Sequence, residues 1–358
     1  MERSKPDRYH GQVSNGGGEG AGLERISVVL ATFNGEHYLQ EQLDSLAGQT
    51  TPPDELIIID DGSTDATPGI LRAFAASAPF PTELVLRSEH LGTWATFEEG
   101  LTLATGDIIL ICDQDDRWHA DKVGVLASRL AERPETLMAF SDARLINAGG
   151  RIIGRSRWRV AGFSPRQARA MAADSFGPLT SRQAVSGCTL AIRSELLPAI
   201  LPFPSAIHPA LPTMMYDRWI SLVASAAASV VTVPETLVDY RIHPGQQIGI
   251  PALSIRRVAP RFALQCAQFL HSRAEVIGRI EYHVAHLEEI HKRLIVAGLS
   301  TEASEQRLEV AERHLRFRAS LDRRRRARVP VVIQELRRLD GYRRFSLGVV
   351  TAVSDVTR

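Results

Sequence analysis

The sequence predicts an α/β protein built on a doubly wound, mostly parallel sheet flanked by helices, with a helical C-terminal extension. Three observations predict it. Short apolar runs alternate with segments whose apolar residues recur at helical spacing. The runs are apolar at successive positions, as expected of parallel strands covered on both faces. Three of them end in polar or acidic clusters, at residues 32–34, 60–65 and 113–116. Such a sheet brings those clusters to one rim, beyond the carboxyl ends of its strands, where ligands bind.

The elements follow in order. Residues 1–24 are Gly-rich and polar, too poor in apolar groups to offset the entropy of ordering, and read as a disordered leader. ISVVLATF (26–33) is a strand, and the segment after it carries Tyr38, Leu39, Leu43 and Leu46 on one helical face. ELIIIDDGSTD is a strand ending in acids, ATPGILRAFAAS a helix, TELVLRS a strand, WATFEEGLTLA a helix and GDIILIC a strand. From about 136 to 254 the alternation loosens: LMAFSDARLIN and VSGCTLAIR read as strands, MMYDRWISLVASAAA as a helix, and SVVTVPETLVDYRIHPGQQIG as a strand and loop. The remainder is helical by composition, with Pro330 expected to break it.

A 358-residue chain that is 44% hydrophobic can fill a sizeable core. Its formal charge of +1 conceals a division, since the residues from 255 onward hold 21 Lys/Arg against 12 Asp/Glu. The tail is the basic end. Three widely spaced cysteines, Cys112, Cys188 and Cys266, offer neither a disulfide framework nor metal-finger spacing, and read as reduced thiols. No apolar run approaches the roughly 20 residues of a membrane span, so a cytoplasmic protein is expected, soluble or peripheral on the membrane's inner face.

Crowded carboxylates have bland readings, as solvated loops or helix caps, and Asp65, Ser63 and Thr64 suit a cap for the helix that follows them. The three at Asp113, Asp115 and Asp116 are harder to leave uncompensated at the end of an apolar strand. A divalent cation would neutralise them. Mg²⁺ or Mn²⁺ takes one or two protein carboxylates and completes its shell with water and phosphate oxygens, so this pattern points to a phosphorylated ligand. Asp217, among Met, Tyr and Trp, suits a general base whose pKa burial would raise; an N-cap at the next helix is the alternative.

These residues together resemble a family 2 glycosyltransferase of the GT-A fold. The match runs through ISVVLATFNGEHYLQEQLDSLAGQTTPPDELIIIDDGSTDAT, then GDIILICDQDDRWHADKV, then YDRW, over about residues 26–250. Its most similar subset is rhamnosyltransferase-like enzymes of bacterial surface polysaccharide synthesis. The resemblance implies transfer of a sugar from a nucleotide diphosphate-sugar donor to a glycan or lipid-linked glycan acceptor, in one inverting displacement. It implies a glycosyltransferase domain at 25–254, with a nucleotide-binding half at 25–135 and an acceptor half at 136–254; composition and charge add a basic helical region at 255–358.

By position, Thr32, Phe33 and Asn34 would line the nucleotide, and Asp61 or its neighbour Asp60 would accept from the base. Asp113 would contact the donor, and Asp115, with Asp116 extending the motif, would bind Mg²⁺ or Mn²⁺. Gly92, Gly187 and Cys188 would adjoin the donor. Arg241 and His243 would close over the diphosphate, and Asp217 would be the catalytic base. One departure is His90, where relatives often carry Asn before the Leu-Gly pair.

The Arg-rich segment 312–346 reads as a basic amphipathic helix suited to an anionic membrane surface, as a solvated or oligomer-forming face, or as a nucleic-acid patch. No recognition motif accompanies the charge, so no nucleic acid is expected. Two further alternatives are an aspartyl-phosphate phosphatase, which would place such a motif on its first strand rather than after three others, and an inactive nucleotide-sugar-binding partner in a polysaccharide assembly complex.

Overall fold

The computed structural model describes residues 7–10, 24–204, 214–246, 273–321 and 325–337, with five isolated positions beyond them. The strands are β1 (Asp7–His10), β2 (Ile26–Thr32), β3 (Glu55–Asp60), β4 (Thr82–Leu86), β5 (Ile108–Asp113), β6 (Arg117–Trp118), β7 (Met138–Asn147), β8 (Ile152–Ser156), β9 (Leu190–Arg193) and β10 (Val230–Ile242). They form one sheet in the order β1-β4-β3-β2-β5-β9-β7-β10-β6, with β8 on β7. The order reverses between β2 and β5, and a doubly wound sheet opens its ligand crevice at such a reversal.

The pairs β2–β3, β2–β5 and β3–β4 are parallel, with Thr32 opposite Asp60 and Ala31 opposite Asp113. Strand-end clusters far apart in sequence therefore arrive side by side. The period-two alternation of strands separates the two faces. Val29, Ile57 and Ile109 join one buried cluster with Phe97 and Leu101; Val28, Ile58 and Leu110 join the other with Leu39, Leu43 and Leu71. At about 25 cal/mol per Å² of apolar surface, this two-sided burial is the main stabilising term of the sheet.

Beyond β5 the pairing becomes mixed. The strand β9 runs antiparallel between β5 and β7, while β10 lies parallel to β7. The helix Tyr216–Ala227 packs Trp219, Ile220 and Val223 into the first cluster, and Trp219 Nε1 donates to the Ile200 carbonyl at 3.1 Å. The C-terminal helices Arg273–Val296 and Glu302–Ser320 complete that layer with Ile280, Leu287, Leu294, Leu308 and Leu315. Among the described residues, no helix is long and apolar enough to cross a membrane.

Several expectations need amendment. Asp7–His10, within the expected leader, pairs antiparallel with β4, whose outer edge offers free backbone partners; the rest of 1–23 lies outside the described residues. The edge strands β6 and β8 and the helix Lys122–Ala131 were not anticipated. Pro330 does not break its segment but lies inside the helix Arg325–Arg337 as its sixth residue, where the missing N–H forfeits one i→i−4 bond and the helix continues to Arg337.

Candidate functional site

The crevice at the reversal is a cleft of about 560 Å³ whose lining includes Thr32, Phe33, Asn34, Asp61, Asp113, Asp115, Gly187, Asp217 and His243. Nine expected site residues, drawn from six separate stretches of chain, thus meet in one cavity. The loops after β2 and β3 are joined by side chains. Asn34, at φ 48°, accepts from Thr64 N at 2.9 Å through its amide oxygen, and its own N–H donates to Ser63 Oγ at 2.8 Å. Asp65, expected to cap the next helix, stands one residue before its N-cap Ala66 and accepts from Thr67 N at 2.9 Å.

The two carboxylates after β3 serve different ends. Asp60 is 1% exposed and accepts from Thr32 Oγ1 at 2.9 Å and from Ser63 N and Oγ at 3.0 and 2.6 Å. It ties the two loops together and does not line the cleft, contrary to its expected role at the base. Asp61 does line it, held by Arg87 Nη1 at 2.8 Å, Leu91 N at 2.9 Å and Gly92 N at 2.7 Å. Gly92 acts through Asp61 rather than on a ligand: at φ 90° it turns its N–H onto the carboxylate and opens the next helix. His90 Nδ1 lies 2.8 Å from Asp61 Oδ2, and its ring stacks on Phe33 at 3.8 Å.

The acidic cluster after β5 also divides. Gln114 folds back to accept from Phe33 N at 2.8 Å and to donate to Phe33 O at 2.9 Å, which fixes the turn against the β2 loop. Asp113 and Asp115 then face the cleft. Asp115 Oδ2 lies 2.8 Å from His243 Nε2. Burial, with Asp115 and Asp217 nearby, pushes the Asp113 carboxyl up to about 7. Tyr216 donates its hydroxyl to Asp113 Oδ1 at 3.2 Å.

Asp116 points the other way. It is 1% exposed, outside the cleft lining, and its Oδ1 accepts from Arg241 N at 2.9 Å. Asp116, expected to extend the metal site, thus braces Arg241 through Oδ1, while its buried Oδ2 has no hydrogen-bond partner. Its ligand atom clusters with those of Asp113 and Cys188, all within 4.8 Å of one another. Cys188 is likewise buried behind the cleft; its carbonyl accepts from the wholly buried Lys122 at 2.6 Å, and Lys122 Nζ sits 3.0 Å over the Trp118 ring.

Arg241, expected over the diphosphate, is 1% exposed and outside the lining. It donates through Nε to Asp115 O at 2.8 Å and through Nη1 to Ala148 O at 3.1 Å, and pairs with Glu41. Its strand turns the side chain inward, so it holds the acidic loop from beneath. Asp217 lies in the first turn of its helix, Oδ1 accepting from Arg218 N at 2.6 Å, and burial raises its pKa. The residue before the helix, Met215, is the N-cap, so Asp217 does not cap.

Sequence reasoning missed Tyr216, Gln114, Tyr38 and Arg157 among the lining residues. Two of these stand inside the motifs YDRW and DQDD, whose spacing is the signal that marks them. Asp115 and His243 could hold a divalent cation with Asp113 adjacent. A carboxylate oxygen and an imidazole nitrogen 2.8 Å apart at a partly open cleft are a suitable donor pair.

The model described as glycosyl transferase family 2 matches residues 27–181. An uncharacterized protein of Mycobacterium tuberculosis is 30% identical over 224 residues, covering 61% of this chain and 59% of its own length. An uncharacterized glycosyltransferase of Nostoc is 25% identical over 219 residues, covering 61% of this chain and 65% of its own length. The match thus spans less than two thirds of either relative. The crystal structure of S. aureus TarS 1–349 in complex with UDP aligns over 93% of this chain and 90% of its own, at 17% identity and a TM-score of 0.48.

Proposed function

Residues 27–181 belong to glycosyl transferase family 2, and from that premise we propose that the chain is an inverting glycosyltransferase that moves a sugar from a nucleotide diphosphate-sugar to an acceptor hydroxyl. The observation that carries this reading is the meeting of Asp61, Asp113, Asp115, Gly187 and Asp217 in one cleft at the sheet's reversal. In the proposed reaction, Asp217 accepts the proton of the acceptor hydroxyl as its oxygen attacks the anomeric carbon. The bond from that carbon to the diphosphate breaks as the new glycosidic bond forms, so the configuration inverts. Burial favours proton uptake by Asp217.

Asp115 and His243 would hold a Mg²⁺ or Mn²⁺ ion, which when bound offsets charge on the leaving diphosphate. Phe33 offers the nucleobase an aromatic face, and Asp61 orders the loop beside it. Gly187 makes room for the Tyr216 hydroxyl that donates to Asp113. The acceptor is read as a glycan or lipid-linked glycan of a cell-surface polysaccharide, with rhamnose one donor sugar to test. Membrane contact is not part of the proposal; within the basic segment 312–346, Leu315 is spent on the core, while Val329, Val331 and Ile333 of the helix Arg325–Arg337 are exposed.

The test is donor turnover by wild type, Asp217→Asn and Asp115→Ala with Mn²⁺ or Mg²⁺, across a panel of nucleotide sugars. Wild type should turn over one donor, with both variants reduced by at least about 100-fold. A wild type that neither binds nor consumes any nucleotide sugar sinks the reading.

A further inference from the structure

Four carboxylates line the cleft, at Asp61, Asp113, Asp115 and Asp217, and among the described lining residues Arg157 is the one Arg or Lys side chain. It stands at the start of the short helix Arg157–Val160, directly after the edge strand β8. Its Nε donates to Ser186 Oγ at 3.2 Å, which sets the guanidinium beside Ser186 and Gly187. No ion pair joins it to Asp217, although its charge is near enough to favour the ionised form of that carboxylate. The other cations around the site are occupied: Arg87 by Asp61 and Glu99, Arg241 by Glu41 and two carbonyls.

We infer that Arg157 is the anion-holding residue of the cleft, taking a phosphate or carboxylate oxygen of a substrate next to the Asp217 base. This rests on the transferase reading above. A guanidinium held by one nitrogen keeps its two terminal nitrogens for a forked contact, which is the geometry that oxyanions of phosphorus and carbon accept. The position is beside Ser186 and Gly187, near the group that would deprotonate the acceptor. Two sources supply the chemistry: the diphosphate of the donor, or an acidic group on the acceptor.

The experiment separates them with Arg157→Gln and Arg157→Lys, whose melting temperatures should match wild type because the side chain is partly exposed. Titration with UDP and GDP in Mn²⁺ comes first. If the donor diphosphate is the source, Arg157→Gln weakens nucleotide binding by about tenfold or more, and Lys restores part of it. If the acceptor is the source, nucleotide binding is unchanged. Wild type then prefers phosphorylated or uronic acid acceptors over neutral sugars, and Arg157→Gln lowers that acidic-to-neutral ratio by about tenfold or more, whatever it does to the common rate. Unchanged nucleotide affinity together with an unchanged acidic-to-neutral acceptor ratio overturns the inference. A wild type that binds no nucleotide overturns the transferase reading instead.

Discussion

Gly187 makes room for Tyr216. A Cβ added at Gly187 would lie 1.9 Å from the Tyr216 hydroxyl oxygen, the atom that donates to Asp113 Oδ1 at 3.2 Å. The phenol has little freedom to retreat, being 4% exposed and packed against Phe97 at 4.2 Å. Gly187→Ala is therefore expected to displace Tyr216, leave Asp113 without its donor and cost about 1–3 kcal/mol of stability. Calorimetry should register a fall of a few degrees, and transfer should fall with it. Tyr216→Phe, which keeps the ring, should retain the melting temperature to within about 2 °C while still slowing transfer. Equal melting temperatures for Gly187→Ala and wild type would contradict the relationship.

Asp115 and Asp116 are adjacent in sequence and opposite in consequence. Asp115 faces the cleft and His243, whereas Asp116 braces the backbone of Arg241. Chelation of divalent ions should abolish the thermal shift that a nucleoside diphosphate produces, and Asp115→Ala should do so even with Mn²⁺ present. His243→Ala should weaken the cation by about 10–100-fold. Asp116→Asn should lower the melting temperature while leaving the Mn²⁺-dependent shift in place. If Asp116→Asn removes that shift and Asp115→Ala does not, the two roles are reversed.

The rim was legible in the sequence because it follows from strand chemistry. Runs such as ELIIID and IILICD are buried on both faces, and their polar ends must leave the sheet together. Which carboxylate faces which way was not legible, because the turn after β5 is set by Gln114 clasping Phe33, 81 residues earlier in the chain. Arg241 was misread for the same reason. Its partners Glu41 and Ala148 lie 200 and 93 residues away, and nothing in YRIHPG announces them. The edge strands β6 and β8 are short and partly polar, so their existence depends on the partner strand rather than on local pattern.

The raised pKa of Asp113 carries a sign that titration can check. Its folded value of about 7 lies above the ordinary 3.8, so the folded state holds a proton that the unfolded state has lost. The contribution is fully present below about pH 4 and is lost as pH rises through 7. Without divalent ions, Asp113→Asn should gain stability relative to wild type between pH 5 and pH 8, because wild type alone meets this penalty. Parallel pH profiles of the melting temperature for the two proteins would contradict the assignment.

His314 should give the opposite slope in the C-terminal layer. It is 2% exposed, packed against Tyr342 at 4.8 Å and Phe345 at 6.4 Å, with neither ring nitrogen hydrogen-bonded. Burial, reinforced by the Arg318 charge and opposed by Asp355, pushes its pKa down to about 3; Glu335 lies 3.9 Å away. A depressed value means that the unfolded chain takes up a proton first. Its stabilising contribution is present above the ordinary 6.5 and is lost as pH falls from there toward 3. His314→Phe keeps the aromatic packing and removes the titration, so it should hold its melting temperature between pH 6.5 and pH 4.5 better than wild type. His314→Ala should instead destabilise at every pH, because it leaves a cavity beside Tyr342. If His314→Phe and wild type lose stability equally across that window, the acid sensitivity of this layer lies elsewhere.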